Sequence, residues 1–133
     1  MNIRALSLFL FVGMGLFHPN PVVGEAVAIL RGLDKVTARI SLIEAPVQEV
    51  VSFGTLAITV FTCVKSPPEE LPEVAVFLSI SDTQNQGLND QKFLGWMFAS
   101  SPALNALEHP VYDVWAIDCK IADPDTLVAI EEK

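Results

Sequence analysis

This sequence predicts an all-β domain, a single small sandwich or barrel-like fold of about seven strands with one short helix. Three observations carry that prediction. Between residues 27 and 119 the chain is a succession of short runs rich in Val, Ile, Thr and aromatic residues, side chains that fit a pleated, half-buried surface. Gly, Pro, Asn and Asp interrupt the runs at the short intervals that strand connections require. Within this stretch a helix signal occurs at one place, Ser101-Pro102.

The first 28 residues stand apart. Arg4 supplies a positive start, and Ala5 to Phe17 is an uncharged apolar run. Small residues follow, including Gly24 and Ala26-Val27-Ala28. This order describes a secretory signal peptide, with cleavage expected between residues 24 and 28. The apolar run is shorter than the roughly 20 residues a spanning helix needs. No transmembrane anchor is therefore expected after cleavage. Residues 29–120 read as the β domain and 121–133 as a C-terminal tail, where Asp123-Pro124 could cap a short helix over Thr126 to Glu131. The expected location is the periplasm.

Val27 to Arg31 is the first expected strand, with Gly32-Leu33-Asp34 as a tight connection. Val36 to Glu44 returns, with Val36, Ala38, Ile40 and Leu42 on one face and Thr37, Arg39, Ser41 and Ile43 on the other. Glu49 to Phe53 ends at Gly54, where a turn or bulge is expected. Thr55 to Lys65 is apolar on both faces and reads as a central strand. On strict alternation Leu56, Ile58 and Val60 share one face, and Ala57, Phe61 and Cys63 the other. Ser66 to Glu73 holds three prolines and must be a loop. Val74 to Ser81 is a strand, Asp82 to Asp90 a polar loop, and Phe93 to Phe98 a strand. Ser101 as N-cap and Pro102 at the first helical position predict a helix of about two turns, stopped by Pro110. Val111 to Cys119 is the last strand.

The formal net charge is -8. That sign argues against nucleic acid or an anionic membrane surface as partner. The chain holds two cysteines, Cys63 and Cys119, 56 positions apart. In an exported protein such a pair is most simply a disulfide, which over this loop stabilises by about 4 kcal/mol in the chain-entropy model. Both lie near the C-terminal ends of their strands. A bridge therefore favours strands running in the same direction, neighbouring in one sheet or facing across two.

Phe93 to Lys120, FLGWMFASSPALNALEHPVYDVWAIDCK, together with Leu33-Asp34-Lys35 and Phe53-Gly54-Thr55-Leu56, resembles a family of small exported proteins of unknown function from Gram-negative bacteria. The resemblance extends from about Leu30 to Lys120. It implies export, an envelope location and one domain. It brings no activity and no catalytic residue.

Ser100, Ser101, His109 and Asp113 supply the residue types of a hydrolase triad, which geometry alone can establish. No G-x-S-x-G elbow surrounds either serine, and Ser101 has a simpler role as a cap. Glu108, His109, Asp113 and Asp118 match no standard zinc spacing. Glu69 and Glu70 are adjacent in a proline loop, so a glycosidase pair cannot be read there. There is no phosphate loop and no dinucleotide fingerprint, so no cofactor is expected. Trp96 and Tyr112 are the candidates for a binding surface, whereas Trp115 is expected in the core beside the disulfide. The sequence thus favours a non-enzymatic binding or structural module contacting an envelope protein or glycan. The alternative is an envelope hydrolase built on the Ser/His/Asp set.

Overall fold

At the first hairpin, the Asp34 carboxylate accepts the N–H groups of Val36 and Thr37, an Asx turn that reverses the chain over residues 35–38. Those bonds hold the Asp34 carboxyl below its usual pKa, the Thr37 N–H contributing most. In this computed structural model, which describes residues 26–84 and 90–121, the turn joins β1 (Ala26–Asp34) to β2 (Arg39–Pro46). β1 therefore continues through Gly32-Leu33-Asp34, where a connection was expected. Gly32 permits this for a packing reason. A Cβ there would lie 2.6 Å from the Phe53 ring, which occupies the space a side chain would fill.

The remaining strands are β3 (Val50–Phe53), β4 (Leu56–Lys65), β5 (Val74–Asp82), β6 (Asp90–Phe98) and β7 (Tyr112–Ile121). They form two antiparallel sheets, ordered β2-β1-β7 and β3-β4-β5-β6. The two sheets share one core and do not close into a barrel. Ala28, Leu30, Ile43, Ala45, Val114 and Ala116 come from the three-stranded sheet. Leu56, Ile58, Val60, Val76, Leu78, Ile80, Phe93 and Met97 answer from the four-stranded one. Every second residue of β5 from Val74 to Asp82 is buried, the period-2 burial of a sheet with one face inside.

Two β-bulges change which residues face inward. The β4–β5 register shifts between Val60 and Thr62, so Phe61 is the extra residue and Cys63 turns into the core opposite Val76. The β1–β7 register shifts between Ile29 and Leu30, so Ile117 is extra and Cys119 turns inward opposite Ala28. A bulge inserts one residue and reverses the alternation beyond it. Phe61 and Cys63 therefore do not share a face, and neither do Trp115 and Cys119.

Both cysteines thereby meet as a disulfide between the sheets, with Cα atoms 5.9 Å apart. Lys65 Nζ and Asp118 Oδ1 pair beside it at 2.8 Å. At the opposite end, the start of β4 meets the start of β7. Gly54, at φ +58°, lies so close to Tyr112 that a Cβ would overlap the phenol. β4 and β7 thus run in the same direction in facing sheets, as the cysteine positions suggested.

The expected two-turn helix is a single 3-10 turn, Pro102–Leu104, and the Ser101 side chain makes no capping bond. The rest of 99–111 is extended loop. It runs back along β6, where Asn105 Nδ2 donates to Trp96 O at 2.8 Å. Gly95 makes room for it, since a Cβ would sit 3.0 Å from that nitrogen. Leu107 and His109 are buried from this loop, so tertiary insertion overrides the local helix preference. Among the described residues no helix is long and apolar enough to cross a membrane. Residues 1–25 of the expected signal peptide, 85–89 of the polar loop and 122–133 of the tail lie outside the described residues.

Candidate functional site

His109 is held at both nitrogens. Its Nδ1 accepts the N–H groups of Val111 and Tyr112, each at 3.1 Å. The proton therefore resides on Nε2, which donates to Asp82 Oδ2 at 2.8 Å. Both side chains are buried, at 5% and 7% exposure. Asp82 ends the inward row of β5, and His109 comes from the loop entering β7. The His109 contact, then the Gln84 N–H, holds the Asp82 carboxyl below its usual pKa against the opposing effect of burial. Lys35 adds a third tie. Its Nζ donates to His109 O at 2.6 Å and lies 3.4 Å from Asp113 Oδ1.

This arrangement does not assemble the Ser/His/Asp set. Asp113 faces Lys35, and His109 is committed to Asp82. Ser100 lies at the far end of the sandwich, where its hydroxyl donates to Glu73 Oε2. Ser101 is exposed beside the 3-10 turn. With both His109 nitrogens engaged, no lone pair is left to take a serine proton. The buried pair fastens a loop to a sheet. Among the described residues no group of three or more His, Cys, Asp or Glu is placed to hold a metal ion.

Of the two aromatic candidates, Tyr112 exchanges places with Trp115. Tyr112 faces the interior, edge-on to Phe53 at 5.4 Å and beside the His109 ring at 5.3 Å. Trp115 sits opposite Arg31, which pairs in turn with Leu42, so it faces outward from the three-stranded sheet. Ile40 and Leu42 share that outer face at 60% and 61% exposure. Of the two faces of β2, the one bearing Ile40 and Leu42 is thus outside, and the one bearing Ile43 and Ala45 is inside.

Trp96 does lie on a surface. The outer face of the four-stranded sheet carries a ring row across three strands. Phe61 of β4 meets Phe77 of β5 at 5.8 Å, and Phe77 meets Trp96 of β6 at 5.3 Å. The rings are tilted by 43° and 48°. Val50, Val64 and Leu94 are exposed around them. Next to the row, Val64, Ala75, Trp96 and Phe98 line a shallow groove of about 290 Å³. Ala75 forms its floor, because small Ala75 pairs directly with Val64 and Phe98.

At the same end of the sandwich, but between the sheets and not on the outer face, the strand ends open into a cleft of about 430 Å³. Val74, Ala99 and Ile117 are apolar parts of its lining, and the 66–73 loop forms one wall. That loop is closed on itself: Ser66 N–H donates to Glu73 O, Glu70 N–H to Pro67 O, and Ser66 Oγ to Leu71 O. Glu73 stands at the mouth, accepting the Ser100 hydroxyl and the N–H groups of Ser100 and Val74. The Ser100 hydroxyl, first among these, keeps its carboxyl below the usual pKa. Lys65 does the same for Asp118. Alternation along the strands points to the apolar face, but the cleft depends on loop closure that no short motif encodes.

A family model described as an uncharacterized protein conserved in bacteria (DUF2155) matches residues 28–119. A curated protein from Rickettsia prowazekii (strain Madrid E), itself described as uncharacterized, is 30% identical over 87 residues. That alignment covers 65% of this chain and 56% of the relative, so the match spans a little over half the relative's length. No solved structure matches.

Proposed function

This chain belongs to the DUF2155 family of uncharacterized bacterial proteins, and from that premise we propose that it is an exported, non-enzymatic binding module of the cell envelope. In this reading its binding surface is the outer face of the four-stranded sheet. The observation that carries the proposal is the ring row Phe61–Phe77–Trp96, with Val64, Leu94 and Phe98 around it, on a chain of net charge -8. A contiguous apolar patch of a few hundred Å² on a protein surface marks an interaction site.

The geometry favours a protein segment over a glycan. The rings are tilted against one another and give no flat platform for a sugar face. The groove beside them suits one apolar side chain. Strands about 4.8 Å apart, rising about 3.3 Å per residue, give this face an area on the order of 400 Å². A standard interface buries about 800 Å² per partner, so a peptide-like segment fits better than a second folded domain. The Trp96→Ala variant should lose at least tenfold in capture of its partner from envelope extract. Trp115→Ala, on the opposite sheet, should leave capture unchanged. Sedimentation with insoluble envelope polysaccharide tests the glycan alternative directly. Loss of that sedimentation in Trp96→Ala would replace the protein reading with a glycan one.

Export rests on the apolar run Ala5 to Phe17 and the small residues after it. β1 narrows the expected cleavage window. Ala28 is fully buried and pairs with both Ala45 and Cys119, so a cut after Ala28 would remove part of the core. Cleavage before Ala26 keeps β1 whole. Intact-mass measurement of the protein from its native envelope should give a chain starting at Glu25 or Ala26. A chain starting at Met1 would overturn the cleaved-signal reading.

A further inference from the structure

We propose that residues 126–131 return along β7 as a fourth strand of the smaller sheet, seating Val128 and Ile130 in the cleft. The outer face of the larger sheet plays no part in this closure.

The smaller sheet is one strand short. β2 lies against β3 and β4, and β7 lies chiefly against β5, so β6 at the margin of the larger sheet has no strand of its own opposite it. β7 is bonded to β1 along one side, and among the described residues no strand pairs with its other side. A ten-residue edge left in this way is open to pairing with any extended chain. The space beyond that edge is filled at one end only. The 99–111 loop closes the end near the start of β7, where His109 meets Asp82. The other end is the cleft, lined by Ile117 and Asp118 of β7 together with Val74 and Ala99.

The chain leaves β7 at this second end. After Ile121 come Ala122-Asp123-Pro124-Asp125 and then Thr126-Leu127-Val128-Ala129-Ile130-Glu131. Asp followed by Pro suits the first two positions of a type I turn, and hairpin loops of four residues are built around that turn. Thr, Val and Ile favour the pleated chain that follows. With residues 122–125 as the turn, Thr126 pairs with Ile121, Val128 with Cys119 and Ile130 with Ile117. Directly paired residues share a face. Cys119 turns inward, so Val128 does as well, and Ile130 follows two residues on. Asp123 and Asp125 fall in the turn, and Glu131 falls on the outward set with Leu127 and Ala129. No carboxylate is therefore carried in beside Glu73 and Asp118. The short helix that Asp123-Pro124 could also start would leave the edge of β7 unpaired.

The test is NMR of the exported protein with residues 122–133 present. Residues 126–131 should show extended secondary shifts, with NOEs from Val128 to Cys119 and from Ile130 to Ile117. Ile130→Asp should lower the melting temperature by about 5 °C and speed amide exchange in β7 by about tenfold. Leu127→Asp, on the outward set, should change neither. Helical or coil-like shifts over 126–131, or equal effects of the two Asp variants, overturn the proposal. NOEs that arise only between differently labelled copies overturn it as well, in favour of strand exchange between molecules.

Discussion

Asp82 shows how a single polar residue can be placed in a core row without loss. It occupies the fifth inward position of β5, and four apolar residues precede it in that row. His109 makes the position tolerable by donating to it, while two backbone N–H groups fix the ring. Because the folded-state pKa of Asp82 is lowered, the pair contributes stability above the unfolded carboxylate pKa of about 3.9. That contribution is lost as pH falls through the folded value. Thermal melts should show stability declining below about pH 4, and Asp82→Asn should flatten the decline. Removing one partner of a buried pair costs about 3 kcal/mol, so His109→Ala should be markedly less stable at neutral pH. The sequence hid this pair. His109 is legible as a candidate base only while Asp82 is read as the start of a loop, and the two are 27 positions apart.

At the scale of elements, the strands were legible and their facings were less so. All seven expected strands are present because β-branched runs and proline or glycine breaks are local signals. The bulges at Phe61 and Ile117 are not local signals: each is decided by the partner strand, and each reverses the face of the cysteine two positions on. The same reason moved Trp115 outside and Tyr112 inside. The Ser101 segment failed differently. Its local chemistry suits a helix start, but burying Leu107 and His109 and bonding Asn105 to Trp96 O require an extended chain. Ser101→Ala should therefore change stability by less than about 0.5 kcal/mol, where a helix cap would have cost about 1 kcal/mol. Urea melts of the two proteins separate these outcomes. The apolar outer face of the four-stranded sheet was partly legible through Trp96, while the cleft between the sheet ends depends on the closure of residues 66–73.

For the molecule as a whole, the disulfide is a covalent cross-link that ties the two sheets together in addition to the backbone connections between them. Replacing Cys63 and Cys119 together by Ser should cost on the order of 4 kcal/mol in the chain-entropy model. The melting temperature should fall sharply, and two free thiols in the denatured, unreduced native protein would refute the bridge. The strand order carries a further consequence, for the time course of assembly. β1 lies between β2 and β7, so the first strand made waits for the last. The ribosome delivers β2 at once, as the other arm of a hairpin. The remaining edge of β1 stays open until nearly the whole domain has been synthesised. The four-stranded sheet has no such delay, since each of its strands pairs with the next in the chain. Nucleation in the local sheet and late closure of the distant one follow from the loop entropy of bringing chain ends together. Until that closure, Ala28 and Leu30 present an unpaired apolar edge to every other nascent chain nearby, and the newborn protein is at its most vulnerable to mispairing just before it is complete.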